Sequence, residues 1–179
     1  MTINLKNFLN TKPKISKMGE FQELKPIDGL EISSYSADLY KNGRDDIALF
    51  YFKEGANYAA LYTTNSITSQ TIEWNKKSNK SFTKGLLVNT KNANTFTGTN
   101  GLESIDALAK NLSRILTIRE SKSDEGVSET VKIKDLLFAS TGVIGETFPT
   151  EKIVSSLQNL VDKLRDDHNK LIWIKTASA

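Results

Sequence analysis

The chain is predicted to be an α/β protein in which layered helices cover buried strands. Short β-rich runs alternate along the sequence with two stretches whose apolar residues recur at helical spacing. Two of the runs, "GLLVN" and "DLLFAS", are unbroken apolar segments, as strands covered on both faces tend to be. At 179 residues the chain is long enough for one domain with a sizeable core.

The elements follow in order. Residues 1–20 read as a flexible basic leader, and residues 21–179 as the domain. "DDIALFYF" (Asp45 to Phe52) and "YAALYTT" (Tyr58 to Thr64) read as strands joined through "KEGAN" as a hairpin. "TIEW" (Thr71 to Trp74) is a further strand candidate, followed by Gly85 to Asn89 and Asp135 to Ser140. "LIWIK" (Leu171 to Lys175) reads as the last strand. Ile105, Leu108, Leu112 and Ile115 mark one helix beginning near Leu102. Ile153, Leu157, Leu160, Val161 and Leu164 mark a second, starting after Pro149 with Thr150 as candidate N-cap and Glu151 in its first turn. Between them "RESKSDEGVSET", residues 119–130, reads as a mobile polar loop.

Composition narrows the chemistry. Lys and Arg number 24 against 21 Asp and Glu, a net charge of +3. Lys6, Lys12, Lys14 and Lys17 against Glu20 carry that whole excess, so the body is neutral and suits no nucleic-acid backbone. No apolar run reaches the length of a signal peptide or membrane span, which makes the cytoplasm the expected compartment. With no cysteine there is no disulfide, thiolate metal site or cysteine nucleophile. His168, the single histidine, sits in "RDDHNK" at the end of the second helix and reads as a solvated C-terminal cation there. Neither a zinc ligand set nor a phosphate-binding glycine loop is present, so no metal and no cofactor is expected. Hydroxyls, carboxylates and backbone amides remain.

Three stretches concentrate those groups after strands. "VNTKNANTFTGTNG" (Val88 to Gly101) carries Asn89, Asn92, Asn94 and Asn100, with Gly98 and Gly101 ahead of the first helix. Such a loop either presents free amides to an anion or uses Asn and Gly for their left-handed conformations. "FASTGVIG" (Phe138 to Gly145) places two hydroxyls and a glycine at a strand end. A turn there can aim the Thr141 hydroxyl or amide and the Gly142 amide at one point, as the oxyanion of an acyl transfer requires. "LYTTNSITSQ" (Leu61 to Gln70) offers Thr63, Thr64 and Asn65, which either line a pocket or cap a turn.

Taken together and in this order, these stretches resemble the ornithine acetyltransferase family of bifunctional glutamate N-acetyltransferases. "YTTN" (Tyr62 to Asn65) is similar to that family's Phe-Thr-Thr-Asn segment, and "LLVNTKNAN" (Leu86 to Asn94) to its Val-Asn-Ser-Gly-Asn-Ala-Asn motif. "ASTGVIGETFPTEKI" (Ala139 to Ile153) matches its Ser-Thr-Gly-Val-Ile-Gly block, and "LIWIKTASA" resembles the approach to its Met-Thr-Thr-Asp segment. The similarity runs from about Phe21 to Ala179 and is weak before Ile47.

The resemblance implies a layered αββα-type sandwich, shared between an N-terminal α chain and a C-terminal β chain cut from one precursor. A threonine freed at the start of the β chain is that family's nucleophile. It carries acetyl from N-acetylornithine to glutamate in a ping-pong sequence of arginine biosynthesis. Thr141 and Gly142 would form the oxyanion hole, and the partner would be the β chain in an α2β2 assembly. This chain ends at Ala179, ahead of where the nucleophile would stand, and is expected to be most of an α chain. It departs from the family at Thr90-Lys91, where the motif has Ser-Gly; if that glycine sits at positive φ, Lys91 would strain the loop or mark a changed pocket. Two other readings stand beside this one: a self-processing amidase or aminopeptidase of related architecture, and a non-catalytic binding remnant.

Overall fold

The computed structural model describes residues 25–78, 80–122, 130–166 and 170–179. The leader and His168 lie outside the described residues, as do residues 123–129 of the expected polar loop. Among the described residues four strands form one sheet in the order β1 (Leu30–Tyr35), β2 (Ile47–Asn57), β3 (Phe82–Asn89) and β4 (Leu136–Ser140). The first two pairings are antiparallel, and β3 and β4 run parallel. Helix α1 (Gln70–Lys77) precedes β3, and α2 (Gly98–Glu120) lies between β3 and β4. Helices α3 (Thr150–Asp162) and α4 (Lys170–Ser178) follow the sheet.

One face of the sheet carries Ile47, Leu49, Tyr51, Leu87, Leu136 and Phe138, all buried. The apolar stripes of α2 (Ile105, Leu108, Leu112 and Leu116) and α3 (Ile153, Leu157 and Leu160) close over it. The periods of 2 and 3.6 thus meet in a single core. The opposite face is also apolar, with Phe50, Phe52, Leu86, Val88, Leu137 and Ala139 half-buried. Helix α4 packs near it, where the Trp173 ring lies 6.5 Å from that of Phe50.

Several expectations are corrected. "TIEW" is helical, because Ser69 caps α1 by accepting from the Ile72 amide at 3.3 Å, Glu73 lies in the first turn, and Lys76 and Lys77 lie in the last. "LIWIK" is helical as well: four consecutive apolar residues carry no period, and the helix runs on through Ala177, a strong helix former. "KEGAN" makes no hairpin. It belongs to β2, whose register against β3 shifts between Tyr51 and Ala56, with Gly55 at φ 76° beneath the Phe82 ring. "YAALYTT" consequently leaves the sheet, and Leu61 is fully exposed. Helix α2 begins at Gly98 and continues through Arg119 and Glu120, so Gly101 sits in its first turn. Helix α3 is capped by Pro149, and Thr150 is its first residue, its hydroxyl 2.7 Å from that of Ser104.

Candidate functional site

The parallel strands β3 and β4 end side by side at Asn89 and Ser140. The carboxyl ends of neighbouring parallel strands are where open α/β sheets present their loops to ligands. Here the two departing loops stay joined. The Thr141 N–H donates to the Asn89 carbonyl at 3.0 Å, and the Val143 N–H to that of Lys91 at 3.0 Å. The Ala93 N–H donates to the Val143 carbonyl at 3.0 Å, and the Gly145 N–H to that of Thr95 at 2.8 Å. The ladder of the sheet therefore continues past the strands as a double loop.

The asparagines of the first loop are spent on holding it. Asn89, Asn92 and Asn94 are all buried. The Asn89 amide donates to the carbonyls of Thr90 and Asn92 at 3.1 and 3.0 Å, and its Oδ1 accepts the Ser140 hydroxyl at 2.7 Å. Asn92 Nδ2 crosses to the Glu146 carbonyl of the second loop at 3.0 Å. Asn94 Nδ2 reaches the Gly101 carbonyl at 3.1 Å, and its Oδ1 accepts the Thr97 hydroxyl at 2.7 Å. Backbone conformation takes the rest: Lys91, Asn94, Phe96 and Gly98 all have positive φ. The motif thus serves loop construction, and only Asn100 of the four asparagines is exposed. Lys91 at φ 76° occupies the conformation that favours glycine, a strain of about 1–2 kcal/mol. Its ammonium lies 5.8 Å from the Tyr40 ring centroid, with the Arg44 guanidinium 4.4 Å from the same centroid.

Thr141 and Gly142 stand at the exposed head of this double loop. Because the Thr141 amide is bonded to Asn89, the group it can offer a ligand is its hydroxyl. That hydroxyl and the Gly142 N–H have no hydrogen-bond partner among the described residues. Gly142 has φ 134°, and a Cβ placed on it would lie 2.2 Å from the Lys91 carbonyl carbon and 2.6 Å from the Asn92 nitrogen. Only glycine allows the second loop to press this closely on the first. Ser140, the other hydroxyl of the motif, is committed to Asn89. Thr63, Thr64 and Asn65 are exposed, with the Asn65 N–H turned back to the Thr63 hydroxyl at 3.2 Å, a local turn.

Two supports of the site gave no clear sequence signal. Asp46 is buried, and its carboxylate accepts the N–H groups of Ala37 and Leu39 at 2.6 and 2.7 Å. Its backbone carbonyl accepts the Thr90 N–H at 3.0 Å, which fixes the start of the asparagine loop. Asn75 on α1 grips β4 at Phe138. The capping pattern at Ser69 could have revealed α1 itself, whereas a lone helical asparagine announces nothing.

Comparison with known proteins gives a consistent picture. The arginine biosynthesis bifunctional protein ArgJ of Pseudomonas fluorescens is 30% identical over 151 residues, covering 84% of this chain and 34% of its own length. The protein of the same name from Caulobacter vibrioides is 29% identical over 151 residues, covering 82% of this chain and 34% of its own length. The chain thus spans about a third of the length of these relatives. Among solved structures, ornithine acetyltransferase of Mycobacterium tuberculosis in complex with ornithine aligns with a TM-score of 0.68 at 21% identity, over 79% of this chain and 69% of that one. The bifunctional ArgJ protein of Bacillus halodurans aligns at 0.64 and 19% identity, over 76% of this chain and 68% of that one. The layered α/β fold is therefore that of these enzymes. Residues 31–178 match the ArgJ family, and the chain belongs to it.

Proposed function

We propose that this chain is the α portion of an acetyltransferase that moves acetyl from N-acetylornithine to glutamate, with the Thr141 hydroxyl and the Gly142 amide as its oxyanion hole. The reading is carried by one observation. The Thr141 amide is bound to Asn89, while its hydroxyl and the neighbouring Gly142 N–H stand exposed on a loop braced from behind. Two donors carried on a braced backbone suit a tetrahedral intermediate, because the loop need not rearrange when charge develops.

In the first half-reaction a threonine hydroxyl of the β chain adds to the acetyl carbonyl, whose oxygen becomes the anion held by Thr141 and Gly142. Collapse breaks the amide bond, and ornithine leaves as the protonated amine. In the second half-reaction the glutamate amine adds to the acyl-threonine, the same donors hold the second oxyanion, and the threonine is regenerated. The β chain supplies the nucleophile and covers the apolar second face of the sheet, an arrangement supported by half-buried Phe50, Phe52, Leu86 and Leu137. Pairing into an α2β2 assembly in the cytoplasm completes the proposal.

The test is Thr141→Ala in the assembled enzyme. Transfer is expected to fall about 10²–10³-fold, as on losing one oxyanion donor. Stability should stay within about 0.5 kcal/mol, because the exposed hydroxyl bonds to nothing else among the described residues. A variant that transfers acetyl at the full rate would refute the assignment.

A further inference from the structure

Strand β4, which delivers Thr141 and Gly142, lies at the end of the sheet, with β3 as its sole strand neighbour among the described residues. The outward N–H and C=O groups of such a strand are normally left to water or to a foreign chain. Here α1 lies along that edge, and its side chains meet the outward groups of Leu136 and Phe138. Trp74 Nε1 donates to the Leu136 carbonyl at 3.1 Å. Asn75 meets Phe138 twice: its Nδ2 donates to the Phe138 carbonyl at 2.8 Å, and its Oδ1 accepts the Phe138 N–H at 3.0 Å. A primary amide paired in this way reproduces the two bonds that a neighbouring strand would make. The Trp74 ring stands edge-on to Phe138, with centroids 5.8 Å apart and planes at 86°.

The same helix also holds the other wall of the site. The Gln70 N–H, one of the amides that a helix N-terminus leaves unused, donates to the Asn94 carbonyl at 2.9 Å. One rigid element of 8 residues therefore anchors both the strand leading to Thr141 and the asparagine loop that backs it. Phe138 lies three residues before Thr141, roughly 10 Å of extended chain. A slip of β4 along its edge would be passed to the turn almost undiminished.

We infer that Asn75 is a positioning residue for acyl transfer: its amide fixes the height of β4 and with it the place of the Thr141 and Gly142 donors. The inference rests on the oxyanion reading above and adds to it a residue that touches no substrate. Misplacement of catalytic donors by about 1 Å can cost on the order of 10²-fold in rate.

The experiment is a double-mutant cycle on the assembled enzyme, using Asn75→Ala, Thr141→Ala and the pair, with kcat and KM measured for N-acetylornithine. Asn75→Asp serves as the second variant. It matches asparagine in shape and keeps the acceptor for the Phe138 N–H, but as a carboxylate it cannot donate to the carbonyl. Each Asn75 variant should lower kcat about 10–100-fold at a KM changed less than twofold, while hydrogen exchange at the Phe138 amide quickens in Asn75→Ala. In the Thr141→Ala background the Asn75→Ala loss should shrink, since only the Gly142 donor is then left for the slip to misplace. If Thr141→Ala is impaired while both Asn75 variants keep their kcat, the positioning role is overturned and the oxyanion reading stands. Full multiplication of the two losses in the double variant overturns it as well. A fully active Thr141→Ala overturns the oxyanion reading, and the positioning inference with it.

Discussion

At Gly142 the two loops of the site press closely together, and replacing it with alanine tests that packing quantitatively. The three atoms nearest the new Cβ would all be backbone: the Lys91 carbonyl carbon at 2.2 Å, its oxygen at 2.4 Å and the Asn92 nitrogen at 2.6 Å. Backbone cannot swing aside as a side chain could, so the loops must separate by about 1 Å to restore ordinary contact. The bonds flanking this point, Val143 N–H to Lys91 and Ala93 N–H to Val143, would stretch or break. Each contributes about 1 kcal/mol, and holding alanine at φ 134° adds roughly 1–3 kcal/mol. The expected loss is thus about 3–5 kcal/mol. Gly145→Ala is the control, because Gly145 also has positive φ, 80°, but has no atom within 4 Å of the new Cβ. It should lose only the conformational part, about 1–2 kcal/mol. Urea unfolding of both variants resolves this: the losses differ by about 2–3 kcal/mol at mid-range, so at about 2 kcal/mol per molar of denaturant the midpoints should differ by roughly 1 M. Equal midpoints would refute the close-approach argument and leave the positive φ as the whole requirement.

Two further outcomes follow from the same geometry. Lys91→Gly should raise stability by about 0.5–1 kcal/mol in the same unfolding assay, since release of the left-handed strain exceeds the added freedom of the unfolded chain; a loss would mean that the cation over Tyr40 matters more to folding. At the start of α1, the Thr68 hydroxyl at 2.6 Å and then the Lys76 ammonium at 3.1 Å hold the Glu73 carboxyl below its ordinary pKa. A lowered folded-state pKa adds stability above the unfolded pKa that is lost as pH falls through the folded one. Thr68→Val should therefore raise the Glu73 pKa, read by NMR titration, and reduce stability at neutral pH more than at acid pH.

Much of the fold is legible where one periodicity dominates. The stripes of α2 and α3 and the apolar runs of β3 and β4 identify themselves, because each buries a full face in the core. What the sequence conceals is set by single residues or by contacts distant along the chain. "TIEW" and "LIWIK" are β-rich by composition but helical because of a cap and a continuation outside the quoted residues. "KEGAN" has turn chemistry, yet Gly55 uses its positive φ for a bulge under Phe82, a neighbour 27 residues away in the sequence. At the site, Thr141 and Gly142 follow from their place after a strand. The choice of the Thr141 hydroxyl over its amide depends on the bond to Asn89. The roles of Asp46 and Asn75 depend on partners that only the folded chain brings near.

The most direct measurement follows an isotopically labelled acetyl group from N-acetylornithine into glutamate, using the protein assembled as it is in the cell. Labelled N-acetylglutamate and free ornithine are expected in equal amounts, with the label passing through an acyl-threonine trapped by rapid quenching. Label released only as acetate, or no turnover by the intact assembly, would contradict acetyl transfer as the function of this site.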